Sequence, residues 1–125
     1  MLEYPIPSKT NQKIWNYLAR ALAAAKPTAD EIRDQRIGVV GITRDGFESS
    51  SRNLSSQDHC PPAHAEYRLM KRMPKGCTIF VARAMKSGNI GLAKPCKYCK
   101  AFLKGKDVTV YYTIDNNTFG VTHIK

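Results

Sequence analysis

Acidic side chains are scarce in this chain. Ten Asp and Glu stand against twenty Lys and Arg in 125 residues, a formal net charge of +10 at pH 7. No Asp or Glu occurs from Tyr67 to Lys106, where many of the basic residues lie. Such an excess raises the local concentration of polyanions and points to nucleic acid as a partner. The plain alternative is a solvated surface tuned for solubility, but the placement of the charge favours the functional reading. Long apolar runs are missing too. None approaches the roughly 18 residues that a membrane-spanning helix needs, so no membrane partner is expected. The opening Met-Leu-Glu-Tyr-Pro has no basic region followed by an apolar stretch. No secretory signal is read there, and a cytoplasmic location is expected. Cysteine is limited to Cys60, Cys77, Cys96 and Cys99. Without a secretory signal these read as thiols or metal ligands rather than disulfides. Internal repeats and linkers are absent, so residues 1–125 are expected to form a single domain. That length buries a core without disulfide staples, and 42% apolar residues argue against disorder.

What is present reads as alternating helices and strands. Thr10 to Lys26 has Ile14, Leu18, Leu22 and Ala25 at helical spacing and stops at Pro27. Trp15 and Tyr17 read as packing residues. A short polar segment follows, from Thr28 to Gln35. Ile37 to Thr43 reads as a buried strand, and Arg44-Asp45-Gly46 as a hairpin turn that returns the chain antiparallel from Phe47. Ser49 to Pro62 is polar and Ser-rich and reads as a surface loop. A helix is expected over Ala63 to Met73, a central strand over Thr78 to Ala82, and a Gly-containing loop over Ser87 to Ala93. Pro95 suits the first turn of a helix running to about Leu103, which Gly105 ends. Val108 to Ile114 and Thr118 to Ile124 read as strands joined by the turn Asp115-Asn116-Asn117. The fold class is therefore α/β, a three-layer arrangement in which helices flank a mixed sheet of five strands with a C-terminal strand hairpin.

One constellation carries chemistry. His64-Ala65-Glu66 is followed, after 28 residues, by Pro95-Cys96-Lys97-Tyr98-Cys99. His-x-Glu with Pro-Cys-x-x-Cys is the signature of zinc deaminases. His64, Cys96 and Cys99 give three ligands for one Zn2+ and leave a coordination position open, as catalytic zinc requires. Cys96 and Cys99 stand at i and i+3 near a helix start, so both thiols face one side and thiolate is favoured over thiol. Zinc brings the pKa of water to roughly 7. The resulting hydroxide attacks C4 of a cytosine ring. Glu66 takes the proton, protonates N3 and assists departure of ammonia. A redox Cys-x-x-Cys needs no upstream His-x-Glu. A structural zinc site needs a fourth ligand, for which His59, Cys60, Cys77 and His123 are the available residues; Cys77 reads instead as a small core residue.

On this motif the chain resembles the cytidine-deaminase superfamily over about Ile37 to Ile124, and the order of elements agrees with that family's central sheet flanked by helices. His-Ala-Glu in place of Cys-Ala-Glu is similar to the nucleic-acid and nucleotide deaminases. The 28-residue gap is similar to that of the AID/APOBEC polynucleotide deaminases. Those enzymes have a Trp shortly before Pro-Cys, which Ile90 to Lys94 lacks, and continue with further helices. The final hairpin looks more like free-cytidine deaminases and compact bacterial and phage deaminases. The resemblance implies that Asn53 holds the sugar, although capping a turn explains it equally well. It also implies that the Ala65 amide holds the base carbonyl. Tyr98 would line the pocket rim; Tyr112 and Phe119 would either stack on a base or belong to the core.

Two activities follow as expectations. The first is deamination of cytosine to uracil in single-stranded DNA or RNA by a monomer, DNA above all. Arg44, Arg52, Arg68, Lys71, Arg72, Lys86 and Lys97 would follow the phosphates. The second is deamination of free cytidine, deoxycytidine or a nucleotide by an oligomer. Adenine stays open as the base, because tRNA adenosine deaminases share His-Ala-Glu. A non-enzymatic zinc-stabilised nucleic-acid-binding module is the third class, and it has no use for Glu66.

Overall fold

The computed structural model describes residues 2–5, 9–25, 36–52, 69–70, 73–85, 89–95 and 97–125. Among the described residues there are seven strands: β1 (Leu2–Pro5), β2 (Arg36–Ile42), β3 (Glu48–Arg52), β4 (Thr78–Ala84), β5 (Ile90–Gly91), β6 (Val108–Thr113) and β7 (Thr118–Ile124). The helices are α1 (Lys9–Ala25) and α2 (Lys97–Leu103), and Leu69 and Met70 are also helical. The sheet runs β1-β7-β6-β4-β2-β3, with β5 pairing on β4 off that path. All neighbours are antiparallel except β4 and β6, which are parallel. A parallel pair requires a crossover, and here it contains β5 and α2.

Alternation along the strands sorts their side chains onto two faces. Phe80 and Ala82 of β4, with Val40 of β2 and Phe119 of β7, meet Trp15, Leu18 and Ala21 of α1. Ile79 and Val81 of β4, with Val39, Val108, Val110 and Tyr112, meet Leu69, Met70, Met73 and Leu103. Helical elements therefore cover both faces, and the architecture is a mixed α/β fold of three layers. Burying a side chain such as Leu18 or Ile79, both wholly buried, contributes about 1.5–3 kcal/mol.

Glycines set how closely the layers approach. A Cβ at Gly38 would stand 1.9 Å from the Ala21 carbonyl oxygen and 2.7 Å from the Ala25 nitrogen. The α1 backbone thus rests directly on β2, which the small Ala21 and Ala25 permit. On the other face, a Cβ at Gly41 would stand 2.7 Å from Leu69 Cδ2. Gly120 leaves room for the Tyr112 ring, whose Cζ would lie 2.5 Å from a Cβ there.

Five sequence expectations are corrected. Seven strands replace five, because β1 and β5 join the sheet. Ser49 to Arg52 is strand rather than loop: β3 pairs with β2 from Ile42↔Glu48 to Gly38↔Arg52. As an edge strand it needs no apolar alternation. The stretch read as a loop over Ser87 to Ala93 contains β5, which pairs Arg83↔Gly91 and Ala84↔Ile90. The helix ending at Leu103 begins at Lys97, and Pro95 precedes it without helical structure. Met73, expected at the end of a helix, is a non-helical core residue. Residues 28–35 and 63–68 lie outside the described residues.

Candidate active site

Of the three residues expected to hold zinc, the described one is Cys99. It is the third residue of α2 and is wholly buried. Its position follows from the local sequence: Leu103, one turn later, is also wholly buried and anchors α2 in the core cluster beneath the sheet. Lys100 and Lys104 stay on the outer side of the helix, half-buried and exposed. Asn53, His64, Ala65, Glu66 and Cys96 lie outside the described residues, as do His59 and Cys60. Tyr98 lies on α2, and its side chain is outside the description. Leu69 and Met70, a few residues after Glu66, share one core cluster with Leu103.

The parallel strands separate at the end nearest this motif. Val81↔Tyr112 is the last pair between β4 and β6. Beyond it, β5 takes the place beside β4. Thr113, wholly buried, bridges the fork: its hydroxyl accepts from the Arg83 amide at 3.2 Å and donates to the Gly91 carbonyl at 2.8 Å. The Ala93 amide donates to the Thr113 carbonyl at 2.8 Å, carrying the chain toward buried Pro95 and α2. A fork at the carboxyl ends of parallel strands is where open α/β sheets bind ligands. Arg83 follows Ile79 and Val81 on the same face, and its Nε is buried without a hydrogen-bond partner among the described residues. A guanidinium there suits a phosphate or a base carbonyl. Sequence reasoning passed over Arg83; the available signal was a lone cation in the otherwise apolar run Ile-Phe-Val-Ala-Arg-Ala. Met85 and Leu92 expose large apolar side chains beside this fork.

Other proposed site residues fall elsewhere. Tyr112 is 1% exposed and Phe119 wholly buried; both are core side chains, with no face open to a base. His123 is engaged through both ring nitrogens, Nε2 with Asp107 at 2.6 Å and Nδ1 with the Thr109 hydroxyl at 3.0 Å. Cys77 is buried in the core, its Sγ 3.6 Å from Met70 Sδ. Loss of hydration raises its pKa above the ordinary thiol value, so it stays a neutral thiol. Neither His123 nor Cys77 has the setting of a fourth zinc ligand. Of the expected phosphate contacts, Arg44 is exposed and paired with Asp107 at 3.5 Å, and Arg52 is half-buried. Arg68, Lys71, Arg72 and Lys86 lie outside the described residues, as does the side chain of Lys97. Among the described residues no three His, Cys, Asp or Glu side chains cluster. Comparison with known protein families and with curated protein sequences finds no match to this chain.

Proposed function

We propose that this protein is a zinc-dependent deaminase that converts cytosine to uracil in single-stranded nucleic acid, DNA above all. One observation carries the reading: the chain that follows each of the two half-motifs packs on a single sheet face. Leu69 and Met70, just after His64-Ala65-Glu66, share a core cluster with Leu103, just after Cys96 and Cys99. The donor set also fits the metal. One imidazole and two thiolates suit Zn2+.

His64, Cys96 and Cys99 would hold the ion, which when bound makes hydroxide available at neutral pH. Glu66 accepts the proton of the attacking water, delivers it to ring N3 and assists loss of ammonia. The Ala65 amide holds the base carbonyl, Asn53 the sugar, and Tyr98 the rim of the pocket. Arg83 adds a cation at the strand fork. Charge supports a polymer substrate: Lys100, Lys104 and Lys125 line one shallow depression of about 550 Å³ on the outer side of α2. The antiparallel β6–β7 hairpin favours a second reading, deamination of free cytidine or a nucleotide, because of its likeness to free-cytidine deaminases.

Cytidine, deoxycytidine monophosphate and a single-stranded oligonucleotide with one cytosine, assayed side by side, separate the two. Uracil is expected in the oligonucleotide. Turnover of cytidine without the oligonucleotide selects the second reading, and no uracil from any of the three overturns both.

A further inference from the structure

On the sheet face opposite Cys99 a cavity of about 310 Å³ opens between α1 and the strands β2, β4 and β6. Its apolar wall is Ile14, Ile42 and the rings of Tyr17, Phe80 and Tyr111. These rings form a stack. Tyr17 and Phe80 lie 4.7 Å apart at 21°, and Phe80 and Tyr111 lie 5.2 Å apart at 10°. The Arg20 guanidinium lies over the Tyr17 ring at 5.1 Å. Aromatic rings meet other rings offset-stacked or edge to face.

The polar lining has the same sign. Lys13 and Arg44 contribute cations, Thr43 and Thr78 hydroxyls, and no Asp or Glu among the described residues lines the cavity. Arg44 is steadied from outside by Asp107 and lies across Gly76. Lys13, on the exposed side of α1, has no acidic partner among the described residues. The volume falls at the small end of the range for small-molecule sites, roughly 300–1,000 Å³.

We infer that this cavity is a nucleotide-binding site. Lys13, Arg44 and the Thr78 hydroxyl hold the phosphate, and the base lies against Ile14, Ile42 and the aromatic rings. The nucleotide is either free or one residue of a strand. The site is separate from the proposed catalytic centre and does not depend on that activity.

Thymidine monophosphate is a suitable probe, because thymine has no amino group to lose and turnover cannot intrude. Titration is followed by amide chemical shifts, beside thymidine, inorganic phosphate and a four-residue thymidine oligonucleotide. The expected result is shifts at Ile14, Thr43, Gly76 and Thr78, with thymidine monophosphate binding at least about tenfold more tightly than thymidine or phosphate alone. Lys13→Ala is expected to weaken it about tenfold and Lys13→Glu further, which corresponds to about 1.4 kcal/mol for the first change. Tighter binding of the oligonucleotide through the same amides identifies a strand as the source, and tighter binding of the mononucleotide a free nucleotide. Shifts confined to the surroundings of Cys99, equal affinity for thymidine, or unchanged affinity in both Lys13 variants overturns the proposal.

Discussion

At the scale of single residues, space and protons decide what each position tolerates. Gly38→Ala places a methyl 1.9 Å from the Ala21 carbonyl oxygen, so α1 must lift from β2. Overpacking of this kind costs about 1–3 kcal/mol, and backbone contact puts this case near the top of that range. Urea unfolding checks it; a loss below about 0.5 kcal/mol would mean that α1 does not rest on β2 as described. Glu66→Gln is expected to keep fold and zinc while activity falls by at least ~10²–10⁴-fold, the usual contribution of a general acid–base group. Turnover near that of the unchanged protein removes Glu66 from the proton pathway. Asp45 illustrates a smaller effect. The Thr43 hydroxyl donates to its carboxylate, and this bond is the first cause of a pKa below the ordinary carboxylate value. The stabilisation is present at neutral pH and is lost as pH falls through that lowered pKa.

At the scale of elements, the sequence was legible where burial writes a pattern. β2, β4, β6 and β7 show apolar or alternating runs, and α1 shows its 3.6-residue stripe. β1 and β5 were not legible. Four and two residues carry too little periodicity, and the partner of Leu2, Val121, lies far away in sequence. Of the candidate site, the motif letters were legible because the proposed zinc chemistry asks for these residue types at fixed spacing. The role of Tyr112 was not: Tyr111 and Tyr112 are adjacent tyrosines on opposite faces of β6, and only packing shows that Tyr112 fills the space above Gly120. The β5 segment is tied to the tip of the β6–β7 hairpin, where the Ile90 amide donates to Asn116 Oδ1 at 2.6 Å and Asn116 Nδ2 donates to Asn89 Oδ1 at 3.2 Å. Asn116→Ala removes both bonds. Hydrogen exchange at Ile90 should become roughly two- to tenfold faster, equivalent to about 0.5–1.5 kcal/mol, with little change in β2. Unaltered exchange at Ile90 would show that pairing with β4 alone holds β5.

At the scale of the whole molecule, metal and charge give the clearest tests. One zinc per chain is expected by elemental analysis, lost in the Cys96→Ser, Cys99→Ser double variant together with stability; full zinc retention in that variant contradicts the ligand assignment. A charge of +10 should make oligonucleotide binding steeply salt-dependent, with a log–log slope of about −0.7 for each phosphate neutralised on a single strand. Affinity independent of salt would remove the electrostatic argument for a polymer. The order of the sheet has a temporal consequence. β1 comes first in the chain, and its neighbour in the sheet is β7. On a ribosome, Leu2–Pro5 emerges well before Thr118–Ile124 and has no edge to join until that strand follows. α1 and β2 to β4, which contact one another extensively, can assemble in the interval. The nascent sheet then grows outward from β4, and its outermost seam is sewn last. Pairings so distant along the chain place refolding of the isolated protein in the slower range for small domains, about milliseconds to seconds.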